Sequence, residues 1–333
     1  MFISRTPFRI SFFGGGTDYP PWFRKHGGAV FGTTIDKFCY LSVRYLPPFF
    51  AHRSRIVWSK IELVNEIEEI EHPTVRAVLS EANLNRGLEV MHHADLPARS
   101  GLGSSSSFSV GLIHALRAMH RQEISKAELA QQSIHIEQNV MKEAVGSQDQ
   151  VWAAHGGFNK IRFHPDGSFD VLPVALAPDR LDLLKRSLVL FFTGVSRSGT
   201  ELAAKQINRL EKGEVDLHNV AALVDEAVNV LATAADPIQR FGELLHESWM
   251  MKRSFADGIS PIFVDEAYEA GIKAGAYGGK LLGAGGGGFI LFVVPPERKL
   301  AVIERLKALV HVNFNFEVEG SRVIVRGDTD TED

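Results

Sequence analysis

Hydrophobic and polar positions along the chain alternate between two periods. Phe8–Phe13 is a short apolar run that predicts a strand. Ala29 to Leu46 is rich in β-branched and aromatic residues and predicts two strands or one bent strand. Pro73 to Leu84 predicts a helix, and Gly87 to His93 a strand. Phe108, Leu112, Ile113, Leu116 and Met119 fall at helical spacing. A second helix is predicted from Lys126 to about Lys142. Gly157–Phe163 and Phe169–Val174 form a hairpin pattern around Pro165-Asp166-Gly167, and Leu188–Phe192 reads as a buried strand. From about Ser196 to Ala274 the period is mostly helical. Two short strands follow, Lys280–Ala284 and Phe289–Val294, then a helical stripe of Val302, Ile303, Leu306 and Val310. Alternation at Phe314, Phe316 and Val318, and at Val323 and Val325, predicts two last strands with Gly320 as a turn. Strands followed by a helical block and then a β–β–α–β–β tail make an α+β pattern. The switch near residue 190 predicts two domains, 1–190 and 191–327, with an acidic, disordered tail over 328–333.

The 333 residues exceed one comfortable core, in line with two domains. A hydrophobic fraction of 45% and a charged fraction of 23% are those of an ordinary globular enzyme. A net charge of −4 gives no reason to expect nucleic acid or an anionic membrane as partner. One cysteine, Cys39, excludes an internal disulfide and points to the cytoplasm. The N-terminal run carries Arg5 and Arg9 and lacks a signal-peptide core, and no 18-residue apolar span occurs.

Three glycine-rich loops change the picture. Pro97-Ala-Arg-Ser-Gly-Leu-Gly-Ser-Ser-Ser-Ser107 runs straight into a helical stripe. A loop opening a helix offers main-chain N–H groups and the positive end of the helix dipole to a phosphate, and the hydroxyls of Ser104–Ser107 suit phosphate oxygens or a hard cation. The stretch fits neither the Walker pattern nor a dinucleotide fingerprint; a flexible linker is the other reading. Gly283-Ala-Gly-Gly-Gly-Gly288 lies between apolar strands, where consecutive glycines signal positive φ or close approach of a ligand or backbone, or else a tight bend. Gly14-Gly-Gly-Thr-Asp18 is the third. Its Asp18 is either a polyol ligand or an Asx-turn residue.

Candidate chemistry lies nearby. Phosphoryl transfer from ATP needs a cation on the phosphates and a group to orient or deprotonate the acceptor. Glu137, late in the second predicted helix, and Asp149, in the loop after it, are candidates; the alternatives are a solvated helix residue and a cap. Arg9 in an apolar strand either snorkels at an edge or pairs with a carboxylate. His92 and His93 have no zinc-like spacing and read as structural.

Taken together, these residues resemble the GHMP kinase superfamily. Its three motifs occur in order: Thr6-Pro-Phe-Arg9 with the following loop, Pro97–Ser107, and Gly283–Gly288. Within it, the branch acting on D-glycero-D-manno-heptose 7-phosphate is matched further, at Gly14-Gly-Gly-Thr-Asp-Tyr19, Ser147-Gln-Asp-Gln150, Gly156-Gly-Phe-Asn159 and Phe192-Thr-Gly-Val-Ser-Arg-Ser198. The resemblance implies a ribosomal protein S5 domain 2-like first domain and a ferredoxin-like second domain. It implies ATP phosphates on Pro97, Ser100, Gly101, Leu102, Gly103, Ser104, Ser105, Ser106 and Ser107, and Mg²⁺ on Ser105 and Glu137. Asp149 matches the catalytic aspartate, and Arg9 the basic residue beside it. Gly15, Gly16, Thr17, Asp18, Gly285 and Gly286 would line the sugar site. Galactokinases carry Glu and His where Gly15 and Gly16 stand. Losing that carboxylate removes repulsion toward a phosphorylated sugar, whose phosphate would meet Arg197 or, as a weaker candidate, Lys252. The implied reaction is ATP-dependent phosphorylation of the anomeric hydroxyl of the heptose 7-phosphate, with no nucleic-acid or membrane partner. An O1 kinase of an unphosphorylated hexose and a non-catalytic sensor on the same fold are the alternatives.

Overall fold

The computed structural model describes residues 1–82, 84, 86–195 and 200–327. In chain order the first half holds β1 (Phe2–Phe13), α1 (Pro20–His26), β2 (Gly28–Tyr45), β3 (Ser54–Val57), β4 (Ile61–Val64), α2 (Pro73–Glu81), β5 (Leu88–Ala94) and α3 (Ser104–Met119). Then come α4 (Lys126–Ile134), a π-helical turn His135–Val140, α5 (Gln148–His155), β6 (Phe158–Phe163), β7 (Phe169–Pro173), α6 (Pro178–Ser187) and β8 (Leu188–Phe192). The rest is α7 (Thr200–Glu211), α8 (His218–Thr233), α9 (Pro237–Arg253), α10 (Ile262–Lys273), β9 (Gly278–Leu281), β10 (Phe289–Val293), α11 (Lys299–Arg305), β11 (Val310–Val312), β12 (Phe316–Glu317) and β13 (Arg322–Arg326). No helix of the described residues is long and apolar enough to cross a membrane.

β2 is one strand, not two, and it is the spine of the first sheet. Its N-terminal half pairs with β6 and its C-terminal half with β5, while β1 runs antiparallel along nearly its whole length. The β1–β2 register slips between Pro7 and Phe8 and between Ser11 and Phe13. Proline lacks the ladder N–H, so a slip beside Pro7 is where it is tolerated. Arg9 stands between the two slips. Val30, Phe31, Ile35, Leu41 and Val43 of β2 are buried, and α3 packs on this face. At Gly111 the helix comes close enough that a Cβ would lie 2.9 Å from the Thr6 hydroxyl, and Ser4 Oγ donates to Gly111 O at 2.8 Å.

The second sheet is antiparallel, ordered β11-β8-β10-β9. Every residue of β10 is buried. Two expectations need correction here. The cut near residue 190 falls inside β8, a strand of this second sheet. The last two strands do not stay in the C-terminal unit either: β12 pairs with β2, and β13 with β1. Alternation showed that 314–325 is extended but not which sheet it joins. Phe316 stacks on Phe158, with centroids 5.5 Å apart, and leans on Phe12. The expected tail over 328–333 lies outside the described residues.

Two further boundaries differ. The helix predicted from Lys126 to about Lys142 is α-helical only to Ile134, and then widens into the π-helical turn. Asp149 is not in a loop: it lies in the first turn of α5.

Candidate active site

A cavity of about 750 Å³ opens where the two sheets meet, with residues of all three glycine-rich loops in its lining. One wall is the entry to α3. Gly101 and Gly103 take positive φ (86° and 77°), so the chain turns sharply and α3 starts with uncapped N–H groups facing the cavity. The turn is clamped from the other loop: a Cβ on Gly283 would overlap Gly101 Cα, and one on Gly288 would overlap Ser100 O. Glycine is required at both for close approach rather than for a bend alone.

Arg9 ties this loop to Asp149. Its Nε and Nη2 donate to the two Asp149 carboxylate oxygens at 2.8 and 2.9 Å, and its Nη1 donates to Gly101 O at 2.6 Å. Arg9 is 5% exposed, whereas the Asp149 side chain keeps 27% of its surface open. The planar guanidinium fork thus fixes the carboxylate while leaving it approachable.

Glu137 is 1% exposed. It accepts from Ser106 Oγ at 2.9 Å, Gln150 Nε2 at 2.6 Å and Ser133 Oγ at 3.4 Å. All three donors are neutral, and burial pushes its carboxyl up to about 8 against their lowering effect. Ser106, not Ser105, makes the direct contact. Ser105 is exposed and lines the cavity alongside Glu137. The described residues hold no cluster of three or more His, Cys, Asp or Glu able to bind a metal by themselves. A hydroxyl and one buried carboxylate without a cationic partner fit Mg²⁺, which takes only one or two protein ligands and completes its shell with phosphate and water.

Asp18 is buried and joins the first loop to α5. Gly16 N donates to its Oδ1 at 2.9 Å, Gln148 N to its Oδ2 at 3.4 Å, and Ser147 N to its main-chain O at 3.1 Å. Burial raises its pKa, and the charge of Asp149 adds to that rise. Gly146 approaches so closely that a Cβ would overlap the Asp18 carboxylate.

Gly15, Gly16, Asp18, Gly101, Gly103, Ser104, Ser105, Ser106, Glu137, Asp149 and Gly285 therefore share one cavity. Other expected residues lie behind its lining. The Thr17 hydroxyl locks the loop by donating to Gly14 O and Ala29 O. The Ser107 hydroxyl donates to Pro7 O. Ser100 and Leu102 are fully buried, and Pro97 and Gly286 fall outside the lining. Ser104 Oγ accepts from Arg99 N at 3.0 Å. Arg197 lies outside the described residues.

The sequence reading missed several lining residues. Lys280, in β9, donates to Phe12 O at 2.7 Å; a lysine inside the apolar run Gly279–Leu282 was the available signal. Lys252, the weaker candidate for the sugar phosphate, was expected; it lines the same cavity and donates to Gly283 O. At one end of the cavity Phe108 carries a parallel stack with His72, at 4.5 Å, and an edge contact with His92, at 5.0 Å. Burial holds the His72 ring down to about 4, so it stays neutral there. Trp58 touches His72 and is oriented by Glu62, which accepts its indole N–H at 2.7 Å. Spacing gave no signal for this end, because its members come from four separate segments.

Comparison with known proteins agrees with this geometry. The family model for the GHMP kinases N terminal domain matches residues 65–157, and that for the GHMP kinases C terminal matches 230–311. The chain is 28% identical to a D-glycero-alpha-D-manno-heptose 7-phosphate kinase of Campylobacter jejuni, over 95% of this chain and 97% of that protein. It is 30% identical to a mevalonate kinase of Pyrococcus abyssi, over 75% of this chain and 72% of that one. Among solved structures, a D-glycero-D-manno-heptose 1-phosphate kinase from Bacteriodes thetaiotaomicron superposes with a TM-score of 0.72 at 24% identity, over 97% of this chain and 98% of the other. With the helix-entry loop, the Arg9–Asp149 pair and buried Glu137 around one cavity, the chain belongs to the GHMP kinases and is a phosphotransferase acting on an alcohol group.

Proposed function

We propose that this kinase transfers the γ-phosphoryl group of ATP to the anomeric hydroxyl of D-glycero-D-manno-heptose 7-phosphate, giving the 1,7-bisphosphate. The observation that carries the reading is the bidentate Arg9–Asp149 pair, held against Gly101 in the same cavity as Glu137 and Ser105. Asp149 orients the acceptor hydroxyl and takes its proton as that oxygen bonds to the γ-phosphorus and the bond to the β-phosphate oxygen breaks. Arg9 holds the carboxylate in place and offsets charge on the transferring group. The N-terminus of α3 carries the phosphates of ATP. Ser105 and Glu137 would hold Mg²⁺, which when bound neutralises charge on the phosphate oxygens.

Three observations support a phosphorylated sugar. Gly15 and Gly16 line the cavity without the carboxylate of galactokinases. The heptose-phosphate relative aligns over nearly the whole of both chains. Lys252 and Lys280 line the cavity as well, and we assign Arg197, in the segment 195–199, to the phosphate of the sugar. The reaction belongs in the cytoplasm. A kinase assay across hexoses, hexose phosphates and heptose 7-phosphates tests the assignment. Turnover should be highest with a heptose 7-phosphate, and a preference for an unphosphorylated hexose would overturn it. Arg197→Ala should raise KM for the sugar phosphate about 10-fold or more, the worth of one lost charged contact, with KM for ATP nearly constant. Equal effects on both would remove Arg197 from the acceptor site.

A further inference from the structure

Two lysines line the cavity on the wall built by α9 and β9. Lys280 is 4% exposed, and its Nζ donates to Phe12 O at 2.7 Å. Lys252 sits at the C-terminal end of α9, and its Nζ donates to Gly283 O. Among the described residues no carboxylate lies within ion-pair distance of either nitrogen. An ammonium has three N–H donors, so a single carbonyl leaves each lysine mostly unsatisfied. Buried charges normally find a counter-ion, because the cost of desolvating them is several kcal/mol or more.

The neighbouring charges sharpen the point. Burial, and after it Lys252 and Arg9, hold Lys280 well below the usual lysine range, and burial and Arg9 lower Lys252, so an anion bound here would draw protons onto both. Asp149 and Asp18 attract Lys252 from a distance. Both oxygens of Asp149 are already engaged by Arg9, and burial pushes Asp18 toward its neutral form. Three basic side chains thus converge on one side of the cavity with a single committed carboxylate among them. Gly285 and Gly287 line the cavity beside them, with no side chain to obstruct a ligand.

We infer that Lys252 and Lys280 form an anion subsite on this wall that receives a phosphoryl group. A phosphoryl group fits because it offers three oxygens, able to accept from ammonium groups arriving from two directions. Its source is either the γ-phosphate of ATP or the phosphate carried by the acceptor. The second source deepens, and rests on, the sugar-phosphate reading above.

The test has a binding arm that needs no turnover. With the α3 N-terminus filled by saturating Mg²⁺–ADP, inorganic phosphate is titrated calorimetrically into wild-type, Lys252→Met and Lys252→Arg. Affinity should fall at least 10-fold in Lys252→Met and persist in Lys252→Arg. Burial and Arg9 hold Lys252 down to about 8, so at pH 8.5 binding should draw in a proton. Titrations in two buffers of different ionisation enthalpy read this uptake, and Lys252→Met should abolish it. Equal phosphate affinity in all three folded proteins would overturn the subsite. If Lys252→Met does not fold, Lys252→Gln takes its place. A kinetic arm separates the two sources. A rise in KM confined to phosphorylated acceptors assigns the site to the acceptor. A fall in kcat shared by phosphorylated and unphosphorylated acceptors assigns it to the γ-phosphoryl group. If phosphate binding depends on Lys252 but no heptose phosphate is turned over, the subsite stands and the heptose assignment falls.

Discussion

The chemistry of this protein is concentrated in side chains whose partners are far away in sequence. Arg9 and Asp149 are 140 residues apart and share two hydrogen bonds. Asp149→Asn replaces an acceptor-only carboxylate by an amide that presents N–H to the Arg9 fork and cannot take a proton. Turnover should fall by about 10²-fold or more, the usual scale for a general base, while binding of ATP measured by fluorescence or calorimetry stays near wild type. Near-wild-type kcat would place acceptor activation on another group. Glu137 supports a prediction of opposite sign for stability. Its folded carboxyl lies near 8 against an ordinary 4.5. Between those values the folded protein holds a proton that the unfolded chain has lost, so this group makes the cation-free protein less stable as pH rises through that window. The total is on the order of a few kcal/mol. Glu137→Gln removes the dependence. In EDTA, its Tm relative to wild type should climb from pH 5 to pH 8, while its activity needs far more Mg²⁺. A Tm difference that does not change with pH would show that Glu137 is already ionised in the cation-free fold.

At the scale of elements, what was legible depended on whether local periodicity alone fixed the answer. The entry to α3 could be read from Gly101-Leu-Gly103 followed by serines and an apolar stripe, because positive φ, helix start and phosphate site are all local properties. The π-helical turn could not. A π turn inserts one residue per turn without changing which residues are apolar, so Lys126–Lys142 reads as an uninterrupted helix. Yet the turn decides how Glu137 reaches Ser106 at the head of α3. Ser105 and Ser106 are adjacent and chemically alike, and only packing selects which one meets Glu137. Lys280 escaped for a related reason: a strand residue in an apolar run reveals burial but not the carbonyl it bonds. The helix entry itself can be tested. At Gly103, φ is +77°, and an added Cβ would sit 3.3 Å from Arg9 Cγ and 3.5 Å from the Asp149 carboxyl carbon. Gly103→Ala should cost stability on the order of 1 kcal/mol for the left-handed backbone, and it should also lower kcat by displacing the Arg9–Asp149 pair. A loss of stability with kcat intact would mean that the pair tolerates the push.

At the scale of the whole molecule, the chain does not divide where its periodicity changes. The first sheet needs residues from the far end: Arg322–Arg326 complete the edge of β1, and Phe316 and Glu317 pair with β2. Side chains repeat the tie, since Thr6 Oγ1 shares a hydrogen bond with Ser321 Oγ, and Ser321 Oγ meets His114 Nδ1 of α3. Without the last strands, the apolar face around Phe12 and Phe158 loses Phe316, and β1 presents an open edge, which invites aggregation. Sequence separation hid this, because extended residues near the C-terminus alternate in the same way whichever sheet receives them. A fragment of residues 1–187, cut before β8, should therefore be poorly soluble or lack cooperative unfolding. Fusing residues 313–327 to that fragment through a flexible linker should restore a cooperative thermal transition by circular dichroism. The same fusion with Phe316→Ser and Val323→Ser, the two half-buried apolar residues of β12 and β13 that pack against the first core, should restore much less. If residues 1–187 alone melt as sharply as the fusion, the returning strands merely decorate the first sheet. If only the fusion melts cooperatively, the first lobe, and with it the α3 entry and the Arg9–Asp149 pair, depends on both ends of the chain being present.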